Sequence, residues 1–261
     1  MQREDLKKQD EKIKQKLSKF KYKVAILSGK GGVGKSTISA LLAIKLSESF
    51  KVGLLDADLH GPSVTKILGL SEKTTMPFGD EIIPVKYNDN LSVISIQFLL
   101  EQRDTPVIWR GPLKIGAIRQ FIADVYWSDE EVLVVDLPPG TGDEPLTVLQ
   151  SIPDVKVLIV TTPQKVAQED VAKSIRFCRE LKTQIIGVVE NMSGFVCPHC
   201  GKETFIFKSG GGKELAEKYD VAFLGAIPLS MDIVSFCEGE TKTLKLPESF
   251  EKFVSGLKSK L

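Results

Sequence analysis

A doubly wound α/β domain, with a mainly parallel sheet covered by helices on both faces, is predicted by three features of this 261-residue chain. Short β-branched runs recur along it, segments with helical apolar spacing separate several of them, and two of the runs end in acidic residues. Continuous apolar runs suit strands buried on both faces, and the helices between them supply the crossovers that parallel neighbours need. The carboxyl ends of such strands form the edge where open sheets bind ligands.

The elements follow in order. Residues 1–21 carry eight basic and four acidic side chains, with Leu6, Ile13, Leu17 and Phe20 as sparse apolar positions. This segment reads as a charged arm or a solvated, weakly docked helix. A single domain is expected from residue 22 to 261, with strands at 23–28 (KVAILS), 51–55 (KVGLL), 91–96 (LSVISI), 131–135 (EVLVV), 156–161 (KVLIVT), 184–189 (QIIGVV) and 221–226 (VAFLGA). Helical spacing is clear in Ile38, Leu41, Leu42 and Leu46, and again in Val171, Ile175, Cys178 and Leu181. The stretches near 74–90 and 194–213 read as local insertions. At the carboxyl terminus Phe250, Phe253, Val254, Leu257 and Leu261 form an apolar stripe, which fits a helix docked on its own core better than a membrane-surface helix because its polar face is not strongly cationic.

Composition excludes little but constrains the partners. With 35 Lys and Arg against 34 Asp and Glu, the formal charge of +1 gives no global attraction to nucleic acid or to an anionic membrane, and neither partner is expected. No apolar run approaches the ~20 residues that span a bilayer, and the charged start lacks a secretory core, so a cytoplasmic protein is expected. The four cysteines, Cys178, Cys197, Cys200 and Cys237, are too few for a disulfide framework in a chain of this size and are expected as thiols or metal ligands.

The strongest motif follows the first strand. Gly29-Lys30-Gly31-Gly32-Val33-Gly34-Lys35-Ser36-Thr37 fits G-x-x-x-x-G-K-[ST] and opens into a helix near Ser36. Its glycines let backbone N–H groups turn around phosphate oxygens at a helix start, where the dipole favours an anion. Lys35 is then expected on the β/γ-phosphates, Ser36 on magnesium and Thr37 toward the α-phosphate, which predicts Mg-ATP as the ligand. The two acid-ended strands give Asp56-Ala57-Asp58 and Val135-Asp136-Leu137-Pro138-Pro139-Gly140. Asp136 is the candidate second magnesium carboxylate, Gly140 a candidate neighbour of the γ-phosphate, and Asp58 the candidate for aligning water. Asp56 and Asp143 read equally well as turn or cap residues.

GKGGVGKST with its early Lys30, DADLHGPS, WRGP at 109–112, VVDLPPGTGD, ENMSGFVCPHC and SGGG at 209–212 together resemble the Mrp/ApbC iron–sulfur carrier ATPases. These belong to the deviant P-loop class with MinD, ParA and the nitrogenase iron protein, and the likeness runs from about residue 20 to 240. On sequence alone Lys30 could be a solvated loop lysine. The resemblance implies that it acts in trans across a homodimer, that Asn191 contacts the adenine and that the segment at Pro228 walls the base pocket.

Cys197-Pro198-His199-Cys200 supplies two thiolates for one metal centre, and one chain lacks a second pair at suitable spacing. Two chains together supply four. A homodimer pooling Cys197 and Cys200 from each subunit completes the shell of a 4Fe–4S cluster, which agrees with the resemblance. A structural zinc on the same four thiolates and a redox-active dithiol are the alternatives, while Cys178 and Cys237 read as core residues. The expected function is therefore an ATP-hydrolysing carrier that assembles a cluster between its subunits and passes it to apo acceptor proteins. The rivals are a MinD/ParA-like positioning ATPase with a zinc clasp and an electron donor like the nitrogenase iron protein, whose cluster cysteines lie in separate loops.

Overall fold

The computed structural model describes residues 2–59, 61–99 and 111–261, so His60, Trp109 and Arg110 of the quoted motifs lie outside the described residues. The elements run α1 (Gln2–Leu17), β1 (Tyr22–Leu27), α2 (Lys35–Ser47), β2 (Val52–Asp56), α3 (Val64–Ile67), β3 (Met76–Phe78), β4 (Glu81–Ile83), β5 (Val85–Asn88) and β6 (Leu91–Ser95). They continue with α4 (Gly111–Asp124), β7 (Val132–Asp136), α5 (Asp143–Ser151), β8 (Lys156–Thr161), α6 (Lys165–Glu180), β9 (Ile185–Val196), β10 (Glu203–Thr204), α7 (Gly211–Lys218), β11 (Phe223–Leu229), α8 (Met231–Cys237) and α9 (Glu248–Lys258).

Seven strands match the seven apolar runs. Strand order in the main sheet is β9-β8-β1-β7-β2-β6-β5, with β11 on the outer side of β9 and β10 at its far tip; within this sheet, among the described residues, β5 and β10 pair antiparallel and the rest parallel. Residues of β2, β6 and β7 are buried throughout, which explains why these runs carry no apolar–polar alternation. Parallel register sets Asp56 beside Asp136 at adjacent strand ends, with β1 on the other side of β7 leading into the glycine loop.

The stretch 74–90 forms the β3–β4 hairpin and the edge strand β5, and 194–213 is partly an extension of β9 that β10 pairs back upon. The amino-terminal segment departs from a solvated helix. Ile13, Leu17 and Phe20 are buried, Phe20 meets Trp127 edge-on at 5.4 Å, and Lys12 reaches Asp124 at 2.9 Å. Three buried apolar side chains suffice to dock a helix whose mean composition is strongly polar.

Helix α9 lies on β11 with Phe250, Phe253 and Leu257 fully buried and the two rings 5.4 Å apart in edge contact. The apolar stripe packs into the core. Among the described residues no helix is long and apolar enough to cross a membrane. Phe253→Ala is expected to cost about 3–5 kcal/mol, the range for emptying a buried aromatic site, read as a lower urea midpoint.

Candidate functional site

The glycine loop is shaped by close approaches. A Cβ on Gly29 would lie 2.4 Å from the Asp170 carbonyl oxygen of α6, so only glycine lets the loop leave β1 there. Gly32 and Gly34 both sit at φ +81°, the left-handed region, and Gly34 precedes the first residue of α2. Helix α2 thus begins at Lys35 with its free N–H groups facing a cavity of about 300 Å³ lined by Gly31, Gly32, Lys35, Ser36, Thr37 and Asp58. Gly31 and Gly32 are exposed, and nothing lies within 4 Å of where their Cβ atoms would be. That open backbone concavity at a helix start fits a phosphate chain. Ser28 Oγ donates to the Lys30 carbonyl at 2.9 Å, holding the loop's entry.

Lys35, which lines this cavity, pairs with the buried Asp136. Lys35 Nζ is 2.8 Å from Asp136 Oδ1, which also accepts from Ser39 Oγ at 2.7 Å. Asp136 Oδ2 is buried and takes no hydrogen bond. The Ser36 hydroxyl lies 3.4 Å from the same Lys35 Nζ, and a carboxylate oxygen without a partner and a hydroxyl are hard-oxygen donors of the kind magnesium takes. Asp58 lines the same cavity, is 8% exposed, and accepts from the Gly61 amide at 3.1 Å. Beyond Asp58, Gly61 and Pro139 a wider opening of about 590 Å³ is bordered by the Lys114–Glu144 ion pair at 2.7 Å.

Asp56 has a clearer role here than its sequence context allowed. It is fully buried beside Asp136, accepts from the Asp58 amide at 3.2 Å and from Ser95 Oγ at 3.1 Å. Burial, and then the Asp136 carboxylate, raise its pKa well above the usual carboxylate range, against the pull of Lys35. Both causes favour the protonated form of Asp56 over its carboxylate. A raised folded-state value contributes stability below the unfolded pKa and loses it as pH rises through the folded one. In the nucleotide-free chain, Asp56→Asn is expected to match the parent near pH 4 and to exceed its Tm increasingly from pH 5 to 8, measured by thermal melts across that range.

Asn191 stands on β9 against the loop, its Nδ2 donating to the Val33 carbonyl at 2.9 Å. A Cβ on Gly34 would come within 2.2 Å of that nitrogen, a second reason for glycine there. Beside it opens a cavity of about 210 Å³ with Thr37, Met192, Pro228, Ile233 and Cys237 among its walls, an apolar slot next to the phosphate loop of the kind a purine fills. Cys237 is thus a half-buried cavity residue whose thiol meets the Thr37 side chain, while Cys178 is a true core thiol whose pKa burial pushes up to about 12.

The cysteine pair lies just past the end of β9. The Cys197 amide donates to the Lys202 carbonyl at 3.0 Å and the Gly201 amide to the Cys197 carbonyl at 2.9 Å, closing a tight knuckle. Amides of Cys200 and His199, followed by the Cys200 thiol, bond to the Cys197 sulfur and lower its pKa. This favours the thiolate, the form a metal takes. Cys200 is exposed, as are Val196, Phe205, Ile206 and Phe207 around it. Among the described residues no three His, Cys, Asp or Glu side chains gather in a metal-binding group.

The structure brings Gly31, Gly32, Gly34, Lys35, Ser36, Thr37 and Asp58 to the lining of one cavity, buries Asp136 against Lys35, and sets the cysteines in a separate loop. Sequence reasoning missed Ser39, one helical turn after Lys35, and Glu190, whose carboxylate binds Ser193, Gly210 and Gly212. A buried acid immediately before Asn191 at a strand end was the available signal for the second.

Comparison with known proteins agrees with this geometry. The chain is 52% identical over 225 residues to an iron–sulfur cluster carrier protein of Methanocaldococcus jannaschii, covering 85% of this chain and 78% of the relative. It is 51% identical over 228 residues to a cytosolic Fe-S cluster assembly factor, the NUBP2 homolog of Dictyostelium discoideum, covering 85% of each. A solved nucleotide-binding protein from Archaeoglobus fulgidus, in complex with ADP and with cobalt found in it, superposes with a TM-score of 0.81 at 41% identity, covering 94% of this chain and 96% of that one. The model of the NUBPL iron-transfer P-loop NTPases, of the ParA group, matches residues 19–257, and with a complete phosphate loop and a metal-ready cysteine knuckle on one domain this chain belongs to that family.

Proposed function

We propose that this protein is an ATP-hydrolysing carrier that assembles an iron–sulfur cluster between two copies of itself and hands it to apo acceptor proteins in the cytoplasm. One observation carries the reading: a chain with a complete phosphate cradle presents an exposed Cys200 beside a half-buried Cys197 whose thiolate its own loop amides favour, and in this proposal the two sulfurs supply half of a four-thiolate shell. A second copy supplies the other half, and the exposed Phe205, Ile206 and Phe207 beside the knuckle suit contact with it.

In the proposed cycle Lys35 exchanges Asp136 for the β/γ-phosphate oxygens, and the loop amides of residues 31–36 hold the remaining phosphates. Magnesium, when bound by Ser36 and Asp136, neutralises charge on the transferred phosphoryl group. Asp58 orients the attacking water, Gly140 closes on the γ-phosphate, Asn191 and Pro228 border the adenine, and Lys30 crosses to the partner's nucleotide. The cluster is cargo, held by thiolates at the surface instead of in a closed pocket, which favours its transfer.

The test is anaerobic reconstitution with iron and sulfide, metal and sulfide analysis, and transfer to an apo ferredoxin with and without ATP. About four irons and four sulfides per dimer, passed on to the acceptor, are expected. Stoichiometric zinc that iron cannot displace would overturn the carrier reading in favour of a positioning ATPase with a structural clasp.

A further inference from the structure

We infer that residues 190–194 are the mechanical link between the nucleotide site and the cysteine knuckle, with Glu190 as the positioning residue that makes the link two-way. This rests on the assignment of both sites above but not on the identity of the cargo.

The link begins with a shared strand. Asn191 touches the Val33 carbonyl of the phosphate loop and Cys197 follows six residues later, at most ~20 Å along the strand. Neighbouring residues of a strand point to opposite faces, so Glu190 and Asn191 look away from each other across β9. On its own side Glu190 is fully buried and works as a clasp. Its Oε1 accepts from Ser193 Oγ at 2.6 Å and from the Gly210 amide at 3.0 Å, and its Oε2 accepts from the Gly212 amide at 2.6 Å. One carboxylate therefore ties both ends of the segment that carries Cys197 and Cys200. Gly212 packs tightly there, since a Cβ would lie 3.1 Å from Glu190 Cβ and 3.1 Å from Thr161 Cγ2.

Between the clasp and the cysteines the strand is bent. Met192 and Gly194 both hold positive φ, 56° and 86°, and the β9–β11 register breaks between Ile227 and Leu229. A methionine in the left-handed region costs about 1–2 kcal/mol and persists only where its surroundings impose it. Here the surroundings are the Asn191–Val33 bond on one face and the Glu190–Ser193 bond on the other. A shift of the Val33–Gly34 backbone on nucleotide binding pulls on the first, and the clasp converts it into a displacement of the knuckle. Coupling of this kind is reciprocal in binding free energy.

The test reads thiol chemistry in the metal-free, reduced protein. Iodoacetamide labelling rates of Cys197 and Cys200 are measured by peptide mass spectrometry with and without Mg-ADP or a non-hydrolysable ATP analogue. Site resolution is needed because Cys237 borders the base cavity and nucleotide shields it directly. In the parent chain nucleotide is expected to change the Cys197 and Cys200 rates about fivefold or more, the lower end of ordinary coupling. Glu190→Gln is expected to bring that ratio close to one while nucleotide affinity stays within about twofold, a separation a purely structural role would not produce. Ser193→Ala, which removes one of the three bonds, is expected to at least halve the ratio and decides the matter if Glu190→Gln does not fold. A parent ratio of one, or a full ratio in the Ser193→Ala or folded Glu190→Gln variant, overturns the inference. A chain that takes up no cluster yet keeps the ratio refutes the carrier reading alone.

Discussion

Lys35→Ala abolishes turnover, by about 10³-fold or more, and also lowers the stability of the nucleotide-free protein by about 3–5 kcal/mol. The first effect follows from removing the cation that meets the charge on the transferred phosphoryl group. The second comes from the ground state shown here, in which Lys35, 6% exposed, is paired with the fully buried Asp136. Truncating one partner of such a pair leaves the other charge uncompensated, and the neighbouring Asp56 cannot relieve it because it is a second acid. The two effects separate in a double variant. Lys35→Ala with Asp136→Asn is expected to recover most of the stability and none of the turnover, checked by urea denaturation and by phosphate release. Turnover in either variant would show that another group holds the phosphate.

On the proposed assignment the Cys197→Ser/Cys200→Ser variant is expected to lose all reconstituted iron and sulfide and to keep nucleotide affinity within about twofold of the parent, because the proposed ligands of each site belong to different loops. Serine preserves the size of the side chain but replaces the polarisable thiolate by a hydroxyl that stays protonated at neutral pH. The Cys197 position is expected to matter most. Its sulfur collects the amides of Cys200 and His199, whereas Cys200 is the more exposed of the two. Metal analysis and isothermal titration with ADP on the same preparations check both halves. Retained iron would place the cargo on other ligands, and lost nucleotide binding would mean the knuckle supports the fold of the base pocket.

How much of this was legible beforehand depends on the range of the interaction. Residues 29–37 carry their chemistry in a contiguous string, since glycine torsions, an adjacent lysine and hydroxyl, and a helix start are all local properties. The Cys197–Cys200 pair is equally local. The strands too were readable, because burial on both faces demands unbroken apolar runs such as VLVVD. How firmly the amino-terminal helix docks was not legible for the converse reason. Its docking depends on three apolar side chains among many charges, and whether Phe20 finds Trp127 is decided more than 100 residues away.

The sequence alone determined the class of fold, the phosphate-binding loop and the thiol pair, each encoded by neighbours in the chain. Tertiary structure decided that Asp56 stands buried beside Asp136, that Ser39 shares Asp136 with Lys35, that Cys237 lines the cavity beside Asn191, and that Glu190 ties Gly210 and Gly212 to β9. Each of these depends on which strand pairs with which and in what register. That outcome is set by burial summed over the whole sheet, and no local pattern of residues contains it.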